Sequence, residues 1–145
     1  MHEMIRAQLN QMVPFAKHIG VDITEVGEGT AKGTLELAPE KMNHIETMHA
    51  GAVYTLGEAV SGAAMSGAFA EKILALKPVA ASGKIDYLKI TKGNLVATGS
   101  TDKSAAELNK LLDDEGKARF AVNVSFQDET GEETARMVVE WAVRK

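Results

Sequence analysis

Apolar residues along this chain recur first at helical spacing and then, for most of its length, at every second position. Met4, Ile5, Leu9 and Met12 fall on one side of a short amphipathic helix predicted over about 3–12, which Pro14 closes. Ile19, Val21 and Ile23 alternate and predict a strand from Ile19 to Val26. Gly27-Glu28-Gly29 reads as a turn into a second strand, Ala31 to Ala38, which Pro39 ends. A loop through Asn43 and His44 leads to a run of small and apolar residues, which predicts a long central helix over about 49–70. Four alternating segments follow: Ala81 to Ile90, Leu95 to Thr101, one through Ala118, Phe120, Val122, Val124 and Phe126, and one through Ala135, Met137, Val139, Trp141 and Val143. Between the middle two, Ser104-Ala105-Ala106-Glu107 has the form of a capping box before Leu108, Leu111 and Leu112, with Gly116 as a stop. That predicts a short surface helix over about 104–113.

One very apolar helix and six half-polar strands have an economical arrangement. A single antiparallel sheet curls around the helix, each strand burying one face, in one α+β domain over residues 1–145. Gly51, Gly57, Gly62 and Gly67 each cost about 1 kcal/mol relative to alanine inside a helix. Their number predicts close approach by the sheet or by a second helix.

Composition narrows the chemistry. The net charge of −4 argues against nucleic acid as a partner. The absence of cysteine removes disulfides, thiolate nucleophiles and cysteine-based zinc sites, and agrees with a reducing, cytoplasmic setting. Glu3 and polar neighbours interrupt the start of the chain where an export signal would be apolar, so no such signal is expected. The stretch from Ala50 to Ala70 is long enough to span a bilayer, but it is built from Ala, Gly and Ser and carries Glu58, which argues for burial in protein rather than lipid.

Glu58 is the one charged residue of that stretch. A carboxylate alone among apolar residues is costly to ionise, and residues placed at such a cost are more often functional than decorative. A helix start offers unpaired, partly positive N–H groups at Ala50 and Gly51. Eight residues of helix separate Ala50 from Glu58, about 12 Å at 1.5 Å per residue, so no single small group can touch both. The donors of one helix can meet the carboxylate of a second helix laid antiparallel beside it. His44, Glu46 and His49 match no common metal-ligand spacing, so no metal is expected. The glycines at 27, 29 and 33 precede no helix and read as a hairpin, not as a phosphate loop. No Gly-x-Ser-x-Gly elbow is present.

Asn43, then His49-Ala50-Gly51, then Glu58 resembles the signature of hot-dog-fold acyl-CoA thioesterases, in particular the phenylacetyl-CoA-thioesterase-like branch and its uncharacterised relatives. In that pattern Asn lies six residues before a His-Gly-Gly or His-Ala-Gly, and an acid follows nine residues after the His; both spacings are kept here. The resemblance covers about Ile19 to Val143 and leaves the helix near Leu108 as an addition. It implies hydrolysis of an acyl-CoA or acyl-carrier-protein thioester without a further cofactor, coenzyme A being part of the substrate. Glu58 would serve as general base or nucleophile. Ala50 and Gly51 N–H groups would hold the oxyanion. Asn43 would hold the water or the carbonyl, and His49 would fix the helix start or contact the thioester oxygen. It also implies a homodimer, or a dimer of such dimers, with sites at the subunit interface.

Some relatives place a Thr four residues after the acid. Here that position is Gly62, with Ser61 beside it as the substitute. Gly83 and Lys84 are the first candidates for the phosphates of coenzyme A. Val53, Tyr54, Val60 and Met65 are candidates for lining an acyl pocket. Two other readings compete. A 3-hydroxyacyl dehydratase of the same fold would use His44 and Glu58, fourteen residues apart, although the prolines of that pattern are missing. A non-catalytic acyl-CoA binding module is the other.

Overall fold

The computed structural model describes residues 1–145. Its elements are α1 (His2–Met12), α2 (Pro14–Ile19), β1 (Asp22–Gly27), β2 (Thr30–Leu35), α3 (Ala50–Ala68), β3 (Lys77–Tyr87), β4 (Leu95–Thr101), α4 (Ala105–Glu115), β5 (Lys117–Gln127) and β6 (Glu133–Arg144). The six strands form one sheet in the order β1-β2-β4-β5-β6-β3, antiparallel throughout. The sheet packs its apolar face on α3, in the α+β hot-dog arrangement.

The packing follows from the alternation. Cross-strand partners such as Ala118, Val143 and Phe126, Ala135 put the small and large apolar side chains of β5 and β6 on the same inner face. Leu56, Val60, Ala63 and Ala64 of α3 meet that face with no exposure. At Gly67 a side chain would run into the Gly27 carbonyl at the β1–β2 turn, so helix and hairpin backbone touch there. At Gly57 the sheet approaches instead through Met137 and Phe126 side chains.

The start of the chain departs from expectation. α1 ends at Met12, before Pro14 as expected, but a second helix follows at once: Pro14 sits at the first turn of α2, where its fixed φ suits a helix and its missing N–H needs no partner. Gly20, at φ 94°, terminates that helix by donating its N–H to the Ala16 and Lys17 carbonyls. Ile19 is therefore helical, and the strand begins at Asp22. α1 lies along β1, the outer strand on that side. Asn10 pairs with the backbone of Ile23 in both directions, its Oδ1 accepting the Ile23 N–H at 2.8 Å and its Nδ2 donating to the Ile23 carbonyl at 3.0 Å. A side-chain amide thus occupies edge groups that a further strand would use.

α4 is capped as its sequence implies: Ser104 Oγ accepts the Glu107 N–H at 3.1 Å. It is more than a surface helix. Leu108 and Leu112 are completely buried, and Asn109 Nδ2 donates to the Ala68 carbonyl at 2.9 Å, which satisfies the end of α3.

Candidate active site

α3 begins at a cap. His49 has extended backbone geometry, and its Nδ1 accepts the Gly51 N–H at 2.8 Å. Nδ1 must be unprotonated to accept, so the ring hydrogen of this exposed residue sits on Nε2. Of the two amides expected as oxyanion donors, Gly51 is engaged by this cap. The N–H of Ala50, at the first helical position, takes no backbone acceptor.

The loop before the cap is held by Asn43. Its Oδ1 accepts the N–H groups of Ile45 and Thr47, both at 3.0 Å, and its Nδ2 donates to Thr47 Oγ1 at 2.8 Å. This closed turn carries Glu46 at φ 61°. Asn43 and Ala50 then share a shallow cavity of about 310 Å³ with Val53, Tyr87 and Lys89. Tyr87 Oη donates to the Ala50 carbonyl at 3.0 Å, tying the end of β3 to the start of α3. Burial raises the Tyr87 hydroxyl above its ordinary pKa, with the Tyr54 hydroxyl adding to the effect.

Glu58 lies elsewhere, two turns along α3. It opens into a cavity of about 430 Å³ whose other walls are largely apolar, among them Leu9, Val13, Met65, Leu76 and Trp141, with Gly62 beside it. No ion pair in the molecule includes Glu58. Its carboxyl is raised above the ordinary value by desolvation alone. One subunit therefore places the free helix-start amide and the carboxylate in separate cavities, as the length of helix between them requires.

The remaining expected residues divide. Ser61 is fully buried; its hydroxyl donates to the Glu58 carbonyl at 2.7 Å and accepts from Trp141 Nε1 at 3.0 Å, so it belongs to the core and not to the cavity. Gly83 lies on β3 under the Tyr54 hydroxyl, which occupies the space a side chain would need. Lys84 is exposed, 4.0 Å from Asp86. Met65 lines the Glu58 cavity and Val53 the Ala50 cavity, whereas Val60 turns to Gly33 and Gly99 of the sheet. His44 lines neither cavity. No three His, Asp or Glu side chains converge as a metal-binding group. Sequence reasoning missed Tyr87 and the α1–α2 wall. The wall had a signal, the apolar run Leu9, Met12, Val13; Tyr87 had none, because its hydrogen bond joins residues far apart in the chain.

Residues 1–143 match the family model described as a domain of unknown function, DUF4442. The chain belongs to this family. No curated protein matches this DUF4442 member. Among solved structures it is similar to a Pseudomonas aeruginosa protein of unknown function described as a probable thioesterase, with TM-score 0.85 and 23% identity over 99% of this chain and 95% of that one. It is similar to the E. coli PaaI protein from the phenylacetic acid degradation operon, with TM-score 0.74 and 19% identity over 99% and 93%. It is also similar to a hypothetical thioesterase from Streptococcus pneumoniae with coenzyme A, with TM-score 0.72 and 18% identity over 94% of each chain. At these identities the DUF4442 chain shares the hot-dog fold with all three. No helix in it is long and apolar enough to cross a membrane.

Proposed function

We propose that this DUF4442 protein is a thioesterase that hydrolyses an acyl-CoA or acyl-carrier-protein thioester at a site shared between two subunits. The observation that carries the proposal is Glu58, an unpaired carboxylate in an apolar cavity on the same helix as a free N-terminal amide. The substrate class is supported by the coenzyme A in the Streptococcus pneumoniae structure and by the thioesterase descriptions of similar folds.

The reaction assigns each group a task. The Ala50 N–H donates to the carbonyl oxygen, where negative charge develops. Asn43 keeps one amide hydrogen beyond its bond to Thr47 and aims it at the carbonyl or the water. Glu58 of the other subunit either takes the proton of an attacking water or attacks the carbonyl itself to give an anhydride that water opens. The C–S bond breaks, the thiolate takes up a proton, and acid and thiol leave. His49 holds the amide frame through Nδ1 and keeps a proton on Nε2.

Pairing of subunits is supported by β3. It has one strand neighbour, β6, and most of its residues are exposed. Tyr87, Leu88 and Ile90 leave apolar surface along and beyond it. A second copy joined along β3 lays its α3 antiparallel to the first. A dimer of such dimers and a cytoplasmic setting belong to the same reading. The test is free-thiol release from a panel of acyl-CoA and acyl-carrier-protein thioesters. Release in the wild type and its loss in Glu58→Gln supports the reading; no release with any acyl group overturns it.

A further inference from the structure

The largest cavity lies away from both parts of the candidate active site. It has a volume of about 670 Å³, within the range of small-molecule sites, and sits where the last turn of α4 meets the ends of β3, β5 and β6. Five cations surround it, Lys77, Lys103, Lys117, Arg119 and Arg144, against the single carboxylate of Glu115. That is an unusual concentration in a chain whose net charge is −4.

The register explains how they are gathered. Lys77 is the direct cross-strand partner of Arg144, and Arg144 that of Lys117, so three cations form one row across β3, β6 and β5. Adjacent strands are about 4.8 Å apart, which puts the outer two roughly 10 Å from each other. Like charges directly opposite one another destabilise a sheet. None of the three has an ion-pair partner. Arg119 is held by Glu140 at 2.6 Å, and Lys103 lies 3.7 Å from Asp102. The next row along the sheet is Val79, Ala142 and Arg119, and Leu111 of α4 closes the apolar side. These side chains lie on the sheet's outer face, opposite α3, since their neighbours Ala118, Phe120, Trp141 and Val143 point into the core.

We propose that this cavity binds a nucleotide through its diphosphate group. The unpaired row supplies charge-assisted hydrogen bonds to the phosphates, and the bound anion relieves the repulsion within the row. The apolar row beside it, flanked by a guanidinium, takes the flat face of a base. A purely ionic ligand has no use for Val79, which is 60% exposed there. The proposal does not depend on the thioesterase reading.

Titration calorimetry of the whole protein with ADP, inorganic pyrophosphate and adenosine tests it. One ADP binds per chain, at least tenfold more tightly than pyrophosphate, with affinity falling as salt rises; adenosine gives no saturable binding. Lys117→Ala with Arg144→Ala weakens ADP at least tenfold, while the ligand-free double variant melts no lower than wild type because the repulsion is gone. If that variant fails to fold, Lys77→Gln on the open strand carries the same expectation. No saturation by ADP, equal affinity for pyrophosphate, or undiminished binding in a folded variant overturns the proposal.

Discussion

His49 accepts the Gly51 N–H at 2.8 Å through Nδ1 and leaves Ala50 with the one amide of the helix start that nothing in the subunit occupies. The cap and the proposed oxyanion donor are thus neighbouring groups with different partners. Substitution can separate them.

Ala50→Pro is the sharpest separation. Proline is favoured at the first helical position, and His49 already has the extended backbone that a residue before proline adopts, φ −63° and ψ 138°. The variant should unfold in urea within about 0.5 kcal/mol of wild type, because surface changes that break no contact are that small. It has no N–H at the position, so thiol release should fall about 10²–10³-fold, the usual cost of one oxyanion donor. Wild-type turnover in a folded Ala50→Pro protein removes Ala50 from the mechanism.

Glu58 sets the pH dependence. Burial raises its carboxyl above 4.5 in the folded protein, so the folded state holds this proton more tightly than the unfolded state. The folded state is favoured by that proton below the unfolded value, and the advantage is lost as pH rises through the folded value. Glu58→Gln, which carries no charge, should therefore melt above wild type at neutral pH, with the gap closing as pH drops toward 4.5. As base or nucleophile Glu58 must be ionised, so kcat/KM of wild type should fall on the acid side at a pH above 4.5. Glu58→Gln should lose about 10²–10⁴ of the rate, the range for a positioned acid–base group.

On the proposed shared site, two dead proteins repair each other. In a twofold-symmetric dimer, mixing Glu58→Gln with Ala50→Pro leaves half of the dimers mixed, each with one intact site, so about a quarter of the wild-type rate should return. Thiol release after co-refolding equal amounts measures it. No recovery while native mass spectrometry shows mixed dimers would place both groups of a site in one chain.

Gly67→Ala tests the contact between helix and hairpin. A methyl group there runs into the Gly27 carbonyl, and backbone yields less readily than a side chain. Overpacking of this kind costs about 1–3 kcal/mol. Urea unfolding should show a loss in that range, with thiol release per folded molecule unchanged.

How much of this could be read in advance depended on whether the determinant was local. The β1–β2 hairpin, the Ser104 cap and the strands through Phe120 and Trp141 were legible because turn residues, caps and alternation act within a few positions. So was the separation of Ala50 from Glu58, since helix rise is fixed. α2 was misread because Ile19, Val21 and Ile23 imitate a strand, although Gly20 between them was a stop signal. The burial of Leu108 and Leu112, the inward turn of Ser61 toward Trp141 and the reach of Tyr87 to Ala50 all join distant segments. Spacing along the chain carries no record of such meetings.

Asn10 has a consequence for assembly. By matching both backbone groups of Ile23, on an edge that α1 already lies along, it obstructs strand addition at β1, and β3 remains as the open side. A molecule with one open side has a valence of one. If copies join through it as proposed, they form pairs and then stop, with Asn10 in the place of a chain terminator for the sheet. In the proposed dimer this keeps sheet-to-sheet pairing closed at two copies, and a dimer of dimers uses another face.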